Sequence, residues 1–516
     1  MSHADRWLVS SFESLILFNF YQHTLLKQDS AMTITGQSNG TSAGGFTVPF
    51  LIDGEKIYPD KTFNVISPAT GKALHKCGSA SEKDALAAVE SAAKAFKSWR
   101  KTTLIERRDI FLKTADILDS RKEELSRIMS EETGAAAGWS DFILGLGIGC
   151  IRDVGGRLVT VEGSVPATSD PNVSAMVLRE PFGVVLAIAP WNAPYVLGAR
   201  SIAFPIAAGN TAILKASEFS PRVLYELAAA FHEAGLPKGV LNVIAHEPAN
   251  AAAITTSLIA HPQIKKINFT GSTGVGRIIA KQAGEHLKPV LLELGGKAPA
   301  IVWEDADLDL AADQCAVGAF LHGGQICMST ERIIVHQKIR EKFEAKLSAS
   351  IEKIFPTKSD APVLINDVAV EKNKKLLEDA VDKGATIVAG SVDAEEISKT
   401  RMRPIVIKNV TKDMKIYQTE SFGPSVALYE VETEEEALEI ANDTEYGLTS
   451  AVFTENLRTG LRFAREIESG AVHINNMTVH DESGLPHGGV KSSGFGRFGS
   501  TGLEEWVRTK TITYRN

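Results

Sequence analysis

The chain has 516 residues, 44% of them hydrophobic and 23% charged, with a net charge of −8. That is too long for one core, and at about 150 residues per domain it predicts roughly two to four. The acidic balance, without a basic block, excludes a nucleic-acid footprint. Four widely spaced cysteines (Cys77, Cys150, Cys315, Cys327) without a CxxC pair argue against a disulfide scaffold or a Cys-rich metal site. No metal is expected, and a reducing, cytoplasmic compartment is.

Residues 1–46 read as a flexible N-terminal extension. The apolar stretch 15–21 is shorter than a membrane span. Asp5 and Glu13 do not suit a signal or transit peptide, and a Ser/Gly/Thr-rich run follows Met32. Two further readings stay open, a start at Met32 and a membrane-surface anchor. No later apolar run reaches the ~18 residues of a span.

From Phe46 the pattern is globular. Residues 50–55 predict a strand and turn, and 82–135 are largely helical, with Ala85, Val89, Ala92, Ala93 and Phe96 at helical spacings. Residues 163–182 read as a β-excursion. Short apolar strands at 184–188, 211–214, 240–244 and 264–269 then alternate with helices such as 224–233. This predicts a parallel sheet covered on both faces. A second α/β segment follows Glu293, with helices at 343–354, 370–384 and 434–442 and strands at 299–303, 333–335, 386–388 and 472–474. The end, 506–514, alternates like an exposed strand. Such a strand favours pairing with another chain, so a homo-oligomer is expected.

Chemistry concentrates in two peptides. Cys327 closes Gly323-Gly324-Gln325-Ile326-Cys327, a turn able to aim a thiol into a cleft and offer the Cys amide to an oxyanion. Cys315 lies in an amphipathic helical context and is assigned to the core. Glu293 interrupts the apolar run Val290-Leu291-Leu292 before Leu294-Gly295-Gly296-Lys297. It is either ion-paired to Lys288 or Lys297, or a desolvated general base with its pKa raised toward neutrality.

Other motifs fall where strands end. Asn192 of Pro190-Trp191-Asn192 could donate to an oxyanion, a contact worth about 3 kcal/mol, although the tripeptide alone is equally a turn. Glu218 of Lys215-Ala216-Ser217-Glu218 suits ribose hydroxyls and repels a 2′-phosphate. Phe269-Thr270-Gly271-Ser272-Thr273-Gly274-Val275-Gly276 places a Gly-rich turn before a helix, where a pyrophosphate would bind. Glu420 and Phe422 of Glu420-Ser421-Phe422-Gly423-Pro424 add an acid and an aromatic ring. The Gly-rich loop 486–497 reads as structural.

In this order the peptides resemble those of the aldehyde dehydrogenase family, over about residues 47–516. The resemblance implies an α/β fold with a Rossmann-like cofactor domain (47–162 and 183–293) and an α/β catalytic domain (294–503). A β-strand oligomerisation arm (163–182 and 504–516) would make a homodimer or homotetramer. It implies Cys327 as nucleophile, Glu293 as general base, and Asn192 with the Cys327 amide as oxyanion hole. NAD would be bound by Ile188, Pro190, Trp191, Lys215, Ser217, Glu218, Gly271, Ser272, Gly276, Leu294, Glu420 and Phe422. Departures are Ala216, where proline is common, and His487, where phenylalanine is. The stretch 475–489 looks like the salicylaldehyde or vanillin branch, which implies an aromatic aldehyde substrate, with Trp139, Ala193, Leu197 and Arg200 lining an aryl pocket. The alternatives are a coenzyme A-acylating enzyme and one that oxidises aliphatic aldehydes.

Overall fold

The structure is a computed structural model that describes residues 46–516, apart from Glu395 and Ser500. All but the last residue of the expected extension therefore lies outside the described residues.

The first sheet has eight strands, five of them parallel and central: Val290–Glu293, Ile264–Thr270, Val184–Ile188, Thr211–Lys215 and Leu241–Ile244. Strands 184–188, 211–215 and 241–244 are buried along their whole length, as continuous apolar runs between helical layers should be. Gly494–Phe495 closes one edge antiparallel, and Phe50–Ile52 with Glu55–Ile57 closes the other. The chain thus returns to the first sheet after building the second. Register places Thr270 opposite Glu293, Phe269 opposite Ile188, and Ile188 opposite Lys215. These residues end the parallel strands along one carboxyl edge, where such sheets bind ligands.

The second sheet has seven strands, ordered Thr386–Ala389, Ile405–Lys408, Ser425–Val431, Thr330–His336, Ala298–Val302, Thr449–Phe453 and Ala471–Ile474. All neighbours are parallel except the first pair. Strand 298–302 starts five residues after Glu293, and strand 330–336 starts three after Cys327. Ala298 pairs with Thr330 where these two strands begin. The amino edge of the second sheet therefore meets the carboxyl edge of the first, and both key residues lie at that junction.

Val173–Pro181 and Val507–Arg515 form a separate antiparallel ribbon, paired without interruption from Val173–Arg515 to Pro181–Val507. Eight of the nine residues of the terminal strand are exposed.

One major helix, Ala137–Gly156, has no counterpart in the sequence reading. Its glycines disfavour helix in isolation. Here Gly147 lies against the backbone of Tyr195, so lost propensity is offset by close packing on helix Pro194–Ala207. Among the described residues, no single helix is long and apolar enough to cross a membrane.

Candidate active site

The cysteine loop is held by backbone conformation and by one glutamine. His322, Gly323 and Gly324 all take positive φ, near +51°, +64° and +72°. At Gly324 a Cβ would lie 2.1 Å from the Gly423 carbonyl oxygen, so no larger residue fits. Gln325 is fully buried. Its Nε2 donates to the carbonyls of His322 (3.0 Å) and Val363 (3.1 Å), and its Oε1 accepts from the Ile365 amide at 2.8 Å. Its own carbonyl accepts from Asn192 Nδ2 at 2.9 Å. Asn192 is thereby fixed two residues from Cys327 while keeping a second N–H for a ligand.

Cys327 is half-buried and free, whereas Cys77, Cys150 and Cys315 are free and fully buried. Burial, then Glu293 and Glu420, push the Cys327 thiol well up, against Arg200 and its own amide. That direction favours the neutral thiol, which would have to lose its proton to act as a nucleophile.

Glu293 is buried at 1% exposure, directly across the junction. A Cβ on Gly296 would stand 2.0 Å from the Cys327 carbonyl oxygen, so only glycine lets the Glu293 strand approach the cysteine this closely. Neither expected lysine pairs with Glu293. Lys288 donates to the carbonyls of Ile259 and His261, and Lys297 pairs with Glu331. Glu293 Oε1 instead accepts from His487 Nε2 at 2.9 Å, and Oε2 is buried without a partner among the described residues. The expected rise in its pKa is also corrected. Burial does push the carboxyl up, but His487 and then Arg200 outweigh it and hold the group below the ordinary carboxylate value. That direction favours the ionised carboxylate.

His487 is the residue the sequence reading missed, having placed its loop among structural ones. A histidine where the resembling family carries an apolar ring was the available signal, but its partner lies 194 positions away.

The residues expected to hold a cofactor line the same edge. Lys215 Nζ lies 3.1 Å from His246 Nε2, and His246 Nδ1 lies 3.1 Å from the Glu247 carbonyl. The carbonyl requires Nδ1–H, so Nε2 accepts from the lysine ammonium. Burial, then Lys215, push His246 down to about 4, consistent with a neutral ring. Glu218 is half-buried, and among the described residues it has no hydrogen-bond or ion-pair partner. Such a carboxylate fits ligand hydroxyls. Ser272 caps helix Thr273–Glu285 without a side-chain hydrogen bond, leaving that end open beside Gly271 and Gly276. Trp191 meets Phe422 edge-on at 6.0 Å, and Phe219 at 6.1 Å. Glu420 Oε1 accepts from the Gly296 amide at 2.8 Å. Burial, then Glu331, push the Glu420 carboxyl up to about 7. Ile188, Pro190, Ser217 and Leu294 complete the edge at or just beyond the strand ends.

The four substrate candidates are not brought to one cavity. Trp139 donates to the Asn192 carbonyl at 3.3 Å and stacks on His322 at 5.6 Å. With Phe142 it lines a cavity of about 290 Å³ to which Ala193, Leu197 and Arg200 do not contribute. Ala193 and Leu197 are buried in the core around helix 194–207. Arg200 is committed to an ion pair with Asp481.

The aldehyde dehydrogenase family profile matches residues 57–512. The chain is 42% identical to a vanillin dehydrogenase of a Pseudomonas species, covering 91% of this chain and 98% of that protein. It is 39% identical to a salicylaldehyde dehydrogenase of Pseudomonas putida, covering 88% and 94%. The crystal structure of salicylaldehyde dehydrogenase from Pseudomonas putida G7, complexed with salicylaldehyde, superposes with a TM-score of 0.88. It is 37% identical, over 91% of this chain and 98% of that one. The chain belongs to the aldehyde dehydrogenase family and is an aldehyde-oxidising enzyme.

Proposed function

We propose that the enzyme oxidises aromatic aldehydes to free carboxylic acids, with NAD as acceptor. The observation that carries the reading is Glu293: an ionised, buried carboxylate with one unpartnered oxygen, packed through Gly296 against the nucleophile's backbone. The Cys327 thiol gives its proton to water as Sγ bonds to the carbonyl carbon, the carbonyl π pair moves onto oxygen, and Asn192 Nδ2 and the Cys327 amide hold that oxyanion. Lys215, Glu218 and Glu420 would hold NAD, which when bound would supply the hydride acceptor. The Cys327 thioester is then attacked by water, whose proton goes to Glu293 Oε2. Thiolysis by coenzyme A needs no such base. The likeness to vanillin and salicylaldehyde dehydrogenases supports an aromatic substrate. Trp139 and Phe142 would give the ring apolar walls close to Asn192, and the Glu218 carboxylate disfavours a 2′-phosphate.

Steady-state assays of benzaldehyde, salicylaldehyde, vanillin and butanal, with NAD and with NADP and without coenzyme A, test this. Sustained acid formation is expected, with kcat/KM at least about tenfold higher for the aromatic substrates, about one 1.4 kcal/mol step in discrimination. Dependence on coenzyme A, or preference for butanal, would overturn it. The same reading makes the ribbon of strands 173–181 and 507–515, with Leu178, Ile512 and Tyr514 exposed, a contact between copies. A monomeric mass by light scattering would contradict that.

A further inference from the structure

The carboxylate base sits at the end of a buried polar chain. His487 Nε2 lies 2.9 Å from Glu293 Oε1, and the other ring nitrogen, Nδ1, lies 3.8 Å from Asp481 Oδ1. Asp481 Oδ2 is bonded by Arg200. All four side chains are at most 10% exposed. Because an ionised carboxylate only accepts, the hydrogen between His487 and Glu293 belongs to Nε2.

The loop that supplies the ring is fixed to the base's own strand. Gly494 pairs with Glu293 and Phe495 with Leu292, and His487 and Phe498 exchange backbone hydrogen bonds of 3.1 and 2.9 Å. The ring and the carboxylate therefore hold one register. Bonding Oε1 restricts the carboxylate's rotation and leaves Oε2 as its open oxygen. The other charged or titratable groups acting on this pair are Arg200 of helix 194–207, Cys327 of the nucleophile loop, and His473 of strand 471–474, whose ring neighbours His480.

We propose that His487 is a positioning residue for the hydrolytic half of the reaction: its Nε2–H fixes Glu293 Oε1 so that Oε2 receives the proton of the attacking water. In that step the water oxygen bonds to the acyl carbon and the carbon–sulfur bond breaks. The proton passes to Oε2, and the sulfur leaves as thiolate to be reprotonated. Hydride transfer precedes this step and does not require the contact. The inference rests on the hydrolytic reading of Glu293 given above.

The test is rapid-quench measurement of acyl-enzyme hydrolysis with benzaldehyde and NAD, and NADP in parallel, from about pH 5 to 9. It compares wild type, His487→Phe, His487→Gln and Glu293→Gln. For His487→Phe, first-turnover hydride transfer should stay within about threefold while hydrolysis slows roughly tenfold or more. Its acid limb should move to higher pH, because burial then acts on Glu293 without the ring's opposition. Glutamine can place an amide N–H near the Nε2 position and should restore most of the rate. If the Phe variant does not fold, His487→Asn replaces it: its shorter amide falls short of Oε1 and should leave hydrolysis slow. Unchanged hydrolysis in the Phe or Asn variant, or both half-reactions falling together without rescue by Gln, would overturn the proposal. Wild-type hydrolysis in Glu293→Gln would instead sink the base assignment, and the proposal with it.

Discussion

Glu293 and Glu331 are both carboxylates buried at strand ends of the junction, at 1% and 3% exposure, yet they are built to opposite plans. Glu331 is saturated. It pairs with buried Lys297, accepts from the Ser421 amide at 2.9 and 3.0 Å, and from the Phe422 amide at 3.2 Å. Those bonds anchor the loop that carries Glu420 and Phe422. Glu293 has one side-chain partner and one bare oxygen. A buried charge left half-satisfied costs stability, so its persistence points to chemistry, whereas a saturated one points to architecture.

The comparison can be broken by substitution. The largest effect should come from Cys327→Ala, which removes the nucleophile and should leave no detectable aldehyde oxidation in a spectrophotometric assay. Glu293→Gln should lower turnover about 100- to 10,000-fold while the first hydride transfer survives, read as a stopped-flow burst. Asn192→Ala should cost about 3 kcal/mol in the acyl-forming step, roughly 100-fold in single-turnover rate. Glu331→Gln should act on stability instead. It leaves Lys297 buried and unpaired, so the folded state should lose about 3 kcal/mol in a denaturant titration, with turnover per folded molecule changed only a few-fold. If Glu331→Gln matched Glu293→Gln in turnover and not in stability, the distinction between the two acids would be wrong.

A pH profile sharpens the same contrast. Glu293 acts as a base only when ionised, and its pKa lies below the ordinary carboxylate value. Hydrolysis should therefore stay on its plateau through mildly acidic pH and decline only below the ordinary carboxylate range. A limb near neutrality would show that burial, and not His487, governs the group.

Much of this was legible in the chain. Continuous apolar runs gave the buried parallel strands, because such strands need no alternation. Cys327 and Glu293 stood out as candidates because each lies in a local motif, whereas Asn192, equally a turn by itself, was a candidate through the family resemblance. What escaped was tertiary. The bonds from His487 to Glu293 and from Arg200 to Asp481 span 194 and 281 positions. Local reading left Glu293 either paired to its sequence neighbours Lys288 or Lys297 or simply desolvated, and desolvation alone gave its pKa the wrong direction, because the distant His487 and Arg200 that lower it were not visible. Helix 137–156 escaped because glycine lowers local propensity, while the helix–helix contact that offsets it is not local.

The proposed role of Glu293 is to release the acyl group from Cys327. Intact-protein mass spectrometry of Glu293→Gln, mixed with benzaldehyde and NAD, tests it most directly. The account predicts a persistent benzoyl adduct on Cys327, formed with one equivalent of NADH and absent from the wild-type enzyme at steady state. An adduct-free variant that has lost its first turnover, or one that turns over like wild type, would contradict it.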